Sequence, residues 1–282
     1  MYMKFKDSTK ISFGKLSTPG VVKNSPLSDE NINIEHFNDQ NFQYIVDNIA
    51  DMFGLAHGSI NASVVEKDYE AGWYDLNNND KVDDGEISFN FTMNAGINTY
   101  DRESYYGKHF MYLYAAQYGY PITYGIVAHE VGHLVNRYTM NVVENQIVDG
   151  IPCLVEVQSL KDYWDELCAD YLAGVVLAQA SPRLSHEPMK NFLIGTQADS
   201  AHPDGFWRVY AVEMGYRWGS NNSPMLVSRI FNNRANLNQL LVSFFKNYYQ
   251  QVYGGVDAVT RSRYSPIPQY MAEKCFNILG RI

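Results

Sequence analysis

The chain has 282 residues, of which 46% are hydrophobic and 14% aromatic, so it contains enough apolar material for a buried core. This composition excludes a mainly disordered chain. The net charge of −9 argues against a nucleic-acid partner, because nucleic-acid-binding proteins usually carry a basic face. No run of about 18 apolar residues occurs, so the sequence predicts no transmembrane segment.

The cysteines and the N-terminal residues carry a prediction about the compartment. The chain has three cysteines, Cys153, Cys168 and Cys275, and no CxxC motif, which argues against a disulfide framework. No apolar segment typical of a secretory signal follows Met1. Together these features predict a cytoplasmic protein. They do not indicate an oligomeric state.

The chain is predicted to form one main domain preceded by an arm. Residues 1–35 are polar and interrupted by proline and glycine, which is typical of an irregular N-terminal arm. The domain is expected to span residues 36–282, with two lobes that meet near residue 135.

The first part of the domain is predicted to contain one helix and several short strands. Apolar residues at helical spacing predict a helix over residues 41–53. Apolar and polar residues alternate over 87–91, which is the period of a half-buried strand. Further short strands are expected at 62–65 and 72–74.

The remainder of the chain is predicted to be helical. Proline and glycine separate segments of helical periodicity. The predicted helices cover 101–118, 122–139, 160–180, 187–197, 204–218, 236–251 and 267–279. Because strands come early and helices late, the expected class is α+β, with a small N-terminal sheet lobe and a mostly helical C-terminal lobe.

The segment His129–His133 reads HEVGH and lies within a helix that has an apolar face. Residues four apart lie above one another on a helix, so His129 and His133 can direct both imidazoles at one metal ion. Glu130 stands beside the first histidine, where it can accept a proton from water. The pattern therefore predicts a catalytic zinc site with Glu130 as general base.

A catalytic zinc needs a third protein ligand, and Glu166 is the first candidate. Glu166 and Asp170 are four residues apart on a predicted helix, so Glu166 can bind the metal while Asp170 accepts a hydrogen bond from a ligand histidine. Glu144 and Glu156 are alternative third ligands. The neighbouring Asp165 is expected to face solvent.

Two segments together resemble a known family. The HEVGH motif, followed by Glu166 and Asp170 in the run ELCADYLAG, resembles the neutral zinc metallopeptidases of the gluzincin group. The resemblance implies a zincin-like fold, zinc on His129, His133 and Glu166, and hydrolysis of a peptide or protein substrate. It also implies that the strand before the HExxH helix, with 87–94 as candidate, binds the extended substrate.

A further likeness concerns the residue that stabilises the oxyanion of the reaction. His202 and Pro203 precede a predicted helix that contains Arg208, and a similar His-Pro occurs in zincins of the CAAX-processing type. This resemblance implies that His202 is catalytic. Arg208 and Tyr210 remain alternatives.

Two other interpretations stay open. The chain could instead be a catalytically inactive zincin-like scaffold that keeps a structural zinc and binds a partner. Separately, Asp75, Asn77, Asn79, Asp83 and Glu86, with the carbonyl of Lys81, follow the spacing of a Ca²⁺-binding loop. Asp80 stands where that loop requires glycine, so a polar connection between two strands explains the same residues.

Overall fold

The computed structural model describes residues 32–73, 87–136, 143–148, 151–156, 158–197 and 202–254. Within these ranges the fold is α+β and mostly helical, as predicted, with one three-stranded sheet and two hairpin-like strand pairs. Residues 1–31 of the predicted arm and the predicted helix at 267–279 lie outside the described residues.

Helix α1, Asp39–Met52, confirms the first predicted helix. It begins after Asn38, whose side-chain oxygen accepts a hydrogen bond from the backbone N–H of Asn41 at 3.1 Å and so caps the helix. Its apolar residues Phe42, Val46 and Ile49 are fully or almost fully buried, because their spacing places them on one face. That face packs against strand β1 and helix α3.

The main sheet has three strands in the order β1-β5-β4. Strand β1, Asn61–Val65, runs parallel to β5, Glu103–Gly107, and β4, Ala95–Asn98, runs antiparallel to β5. The prediction of a single helix over 101–118 is therefore wrong for its first part. Ser104 and Tyr106 are buried and alternate with the more exposed Glu103 and Tyr105, which is the two-residue period of a strand.

Two further strand pairs lie outside the main sheet. Strand β2, Tyr69–Trp73, pairs antiparallel with β3, Ile87–Phe91, which confirms the predicted strand at 87–91. Strands β6, Val143–Val148, and β7, Ile151–Glu156, form a second antiparallel pair between two helices, and the sequence did not predict them.

The helices that follow agree closely with the predicted ones, although helix α7 was not predicted. They are α2 Lys108–Tyr118, α3 Pro121–Asn136, α4 Gln158–Gln179, α5 Glu187–Leu193, α6 Gly205–Asn221, α7 Pro224–Phe231 and α8 Arg234–Gly254. None of the helices in the described ranges combines the length and the apolar character that crossing a bilayer would require.

Glycines bring helices α3, α4 and α6 into close contact. A Cβ atom on Gly215 of α6 would collide with the carbonyl oxygen of Tyr171 on α4, and one on Gly174 would collide with the carbonyl oxygen of Val212. On α3, a Cβ on Gly132 would lie 3.1 Å from the Cα atom of Ala169. The missing side chains let the three backbones approach, so polar side chains on all three helices can reach one point.

Candidate metal centre

Helix α3 positions the two motif histidines. Buried residues, among them Val127, Ala128 and Val131, fix the orientation of the helix in the core. His129 is buried and His133 is partly exposed, and their Nε2 atoms lie 3.1 Å apart. The prediction that both imidazoles point at one place is confirmed.

Helix α4 brings Glu166 to the same place. Its neighbours Trp164 and Leu167 are buried, and Glu166 itself is 8% exposed. One oxygen, Oε1, lies 3.2 Å from Nε2 of His133, and the other, Oε2, lies 3.3 Å from Nε2 of His129. The alternative ligands Glu144 and Glu156 belong to β6 and β7, and their side chains lie outside the described part of the structure.

The spacing of these atoms suits a small metal ion. Zinc with bonds of about 2.0–2.1 Å in tetrahedral geometry separates its ligand atoms by about 3.3 Å. The two imidazole nitrogens, 3.1 Å apart, are close to that value, and each of them faces a different oxygen of Glu166, at 3.2 and 3.3 Å. Oε2 of Glu166 is also a buried carboxylate oxygen without a well-aligned hydrogen bond in the described residues. The group His129, His133 and Glu166 could therefore hold a metal ion.

Asp170 approaches the far side of the first histidine. It is fully buried, and its Oδ1 atom lies 2.9 Å from Nδ1 of His129. The angle of this contact departs from ideal hydrogen-bond geometry, but its length places a negative charge against Nδ1. A proton held on Nδ1 leaves the lone pair of Nε2 free to face Glu166 and His133, as metal binding requires.

The charges around His129 shift the pKa values of the whole group. Burial lowers the pKa of His129, but the negative charges of Asp170 and Glu166 outweigh it and raise that pKa to about 10. Burial raises the pKa of Glu166, yet attraction to His129 and contacts with both histidines bring it well below its usual range. The group therefore attracts a cation, either a proton or a metal ion.

Arg208 of α6 completes the buried charge group. The sequence did not predict that Arg208 would contact Asp170 and Glu166. Its Nε atom donates to Oδ2 of Asp170 at 2.8 Å and its Nη2 atom to Oδ1 at 3.0 Å. The same Nη2 atom lies 3.2 Å from Oε2 of Glu166. Burial opposes a low pKa for Asp170, but the charge of Arg208 outweighs burial and lowers it. Because its guanidinium already contacts two carboxylates, Arg208 is a poor candidate for stabilising an oxyanion.

His202 lies at the rim of the group. Its Nε2 atom is 3.7 Å from Oε1 of Glu166, and 46% of its side chain is exposed. It precedes α6, whose first turn is capped by the side chain of Asp204. Tyr210, the other oxyanion candidate, is exposed and packs edge-on against Phe206.

Glu130 is partly exposed beside His129. It is near enough to the buried residues Tyr106 and Arg208 for its charge to raise the pKa of both, although burial is the largest influence on each. Burial raises the pKa of Tyr106, whereas it lowers that of Arg208. The predicted base thus belongs to the same charged region as the predicted ligands.

One residue that was expected to face solvent instead joins two helices. Asp165 is partly buried, and its Oδ1 atom accepts a hydrogen bond from Nδ2 of Asn136 at 2.8 Å. This contact ties the end of α3 to α4 one residue before Glu166. The sequence does not indicate this contact of Asp165, because an aspartate beside a buried glutamate on a helix often faces water.

Two predictions from the sequence concern segments away from the metal ligands, the possible Ca²⁺ loop and the substrate-binding strand. The possible Ca²⁺ loop, from Asp75 to Glu86, lies outside the described residues. The segment 87–94 contains β3, which pairs with β2, whereas β4 packs against the HExxH helix α3.

Comparison of the chain with known protein families, with curated proteins and with solved structures finds no match. A functional assignment therefore depends on the chemistry of the site itself.

Proposed function

We propose that this protein is a zinc-dependent metallopeptidase of the gluzincin type with a zincin-like fold. The observation that carries the proposal is the group of His129, His133 and Glu166 beside Glu130, in which the two Nε2 atoms lie 3.1 Å apart and each lies within 3.3 Å of one oxygen of Glu166. Two imidazoles and one carboxylate leave a fourth position for water, which is the pattern of catalytic rather than structural zinc sites. An acid next to the first histidine has a role in catalysis and none in purely structural binding.

Zinc in this site would polarise the carbonyl group of a substrate and make water more acidic. Glu130 is the group that would accept the proton from water and later pass it to the leaving amine nitrogen. Asp170, held by Arg208, keeps a proton on Nδ1 of His129, so that Nε2 stays available to the metal.

His202 is the residue that we expect to meet the oxyanion that forms when the carbonyl is attacked. Its exposed ring stands 3.7 Å from Glu166 at the edge of the centre, where a substrate can reach it. A hydrogen bond donated from this ring would be strongest when the negative charge has formed, and such bonds accelerate acyl transfer.

Strand β4 is the expected binding site for an extended peptide. It is an edge strand in the sheet order β1-β5-β4, and it packs against α3, which carries the histidines. An edge strand presents backbone N–H and C=O groups that can pair with a substrate strand. In this proposal β4, Ala95–Asn98, takes the role that the sequence assigned to 87–94.

The test combines metal analysis with one catalytic variant. Purified protein should contain about one zinc per chain and should cleave casein or a peptide library. Glu130→Gln should keep the zinc and lose at least about 100-fold in cleavage rate. Glu187→Gln on α5, where Glu187 is exposed and pairs with Lys190, is the matched control and should remain active.

The outcomes separate the peptidase from a binding scaffold. Cleavage by Glu130→Gln at the wild-type rate would show that Glu130 is not the base. A zinc-loaded wild-type protein that cleaves no substrate would favour the inactive scaffold with structural zinc.

A further inference from the structure

Two buried acids stand one helical turn apart on α4. Glu166 is 8% exposed and Asp170 is 0% exposed. Like charges four residues apart on a helix repel each other, and burial removes the water that would screen them. The protein therefore needs positive charge at this place whether or not a metal ion is bound.

Arg208 supplies a permanent positive charge there. Its Nε and Nη2 atoms donate hydrogen bonds to the two carboxylate oxygens of Asp170, at 2.8 and 3.0 Å, which makes the contact bidentate. The side chain of Arg208 is only 9% exposed, so water weakens these contacts little.

The same guanidinium also reaches the atoms that would bind a metal. Nη2 of Arg208 lies 3.2 Å from Oε2 of Glu166 and 3.5 Å from Nε2 of His129. One nitrogen thus contacts the carboxylate and approaches the imidazole that would be metal ligands. Within the part of the chain that the structure describes, His133 and His202 also face Glu166, at 3.2 and 3.7 Å from its Oε1 atom.

We propose that Arg208 is a positioning residue that replaces the charge of the metal ion in the metal-free protein and so holds Glu166 and Asp170 together while no metal is bound. The proposal rests on the zinc site proposed above. A bound metal ion and the guanidinium attract the same negative charge and repel each other. Arg208 therefore stabilises the metal-free protein more than the metal-loaded protein.

The two effects are linked thermodynamically. A group that stabilises the metal-free form more than the metal-loaded form must weaken metal binding, because the coupling between two sites is reciprocal. Removing the guanidinium is thus expected to lower the stability of the metal-free protein and to tighten zinc binding. An ordinary salt bridge would instead contribute equally with and without zinc.

The experiment measures melting temperature and zinc affinity for wild type, Arg208→Met and Arg208→Lys. Protein stripped with EDTA is compared with the same protein reloaded with one equivalent of ZnCl₂. Arg208→Met should lower the melting temperature of the stripped protein by roughly 10 °C, since breaking a buried ion pair is strongly destabilising. The loss in the zinc-loaded protein should be less than half as large, and zinc should bind roughly tenfold more tightly.

Arg208→Lys keeps the positive charge but loses the bidentate contact with Asp170, so it should lose less stability than Arg208→Met in the stripped protein. It also preserves the test if Arg208→Met fails to fold without zinc. Arg217→Met is the matched control, because Arg217 lies on the same helix, is 73% exposed and pairs only at the surface with Glu213. Arg217→Met should change neither the melting temperature nor the zinc affinity.

Three results would contradict the account, and they are distinguishable. Equal losses of stability with and without zinc, in wild-type protein that binds zinc, would make Arg208 a plain structural ion pair. Weaker zinc binding in Arg208→Met would show that Arg208 supports the bound state instead. A wild-type protein that binds no zinc would overturn the proposed function, and this proposal with it.

Discussion

Gly215→Ala is the sharpest test of how the helices assemble the site. The added Cβ would collide with the carbonyl oxygen of Tyr171, the residue next to Asp170. The obstacle is backbone, which cannot rotate away as a side chain does, so α4 and α6 must separate. Overpacking of this kind costs up to about 3 kcal/mol, and the better helix propensity of alanine returns about 1 kcal/mol. The expected net loss is about 2 kcal/mol.

For a domain of this size, that loss corresponds to a fall in melting temperature of roughly 4–8 °C. The assay is thermal unfolding followed by circular dichroism, with urea unfolding as a second measure of the free energy. Gly125→Ala on α3 is the control, because its Cβ would meet only the flexible side chain of Met189, at 3.1 Å. A Gly215→Ala protein as stable as Gly125→Ala would refute the claim that direct backbone contact sets the distance between α4 and α6.

Two further predictions concern catalysis and pH. His202→Ala should lower kcat roughly 100-fold with KM and zinc content little changed. His57→Ala is the control and should have no effect, because His57 is mostly exposed. A change in KM alone would argue against oxyanion stabilisation by His202. The zinc-free protein should lose stability as pH rises from 6.5 towards 10, because the raised pKa of His129 stabilises the fold only while the ring is protonated. The low pKa of Asp170 predicts a separate loss at acid pH, below about 4. Urea unfolding at pH 5.5, 7.5 and 9.5 checks the alkaline trend, and a stability that does not fall between pH 6.5 and 10 would contradict it.

The parts of the site that depend on local sequence were predictable. HEVGH fixes two imidazoles on one helix face because a helix repeats every 3.6 residues. Glu166 followed from the same rule, since its spacing to Asp170 places both acids on one face of a helix with buried neighbours. Neither of these local patterns indicates that helices α3 and α4 contact each other.

The parts that depend on tertiary contacts were not predictable. Strand β5 lies where the sequence predicts helix, because strand formation there depends on pairing with β1 and β4, which local sequence does not encode. The role of Arg208 was missed for a related reason. An arginine becomes a partner of Glu166 and Asp170 only because the glycines let α6 approach α4.

The central claim is that two imidazoles and one carboxylate bind a single zinc ion. Zinc K-edge X-ray absorption of the purified protein tests it most directly. The account predicts about one zinc per chain with nitrogen and oxygen ligands at about 2.0–2.1 Å, and loss of that zinc in Glu166→Ala. Sulfur ligands at about 2.3 Å, or a full zinc content that persists in Glu166→Ala, would contradict it.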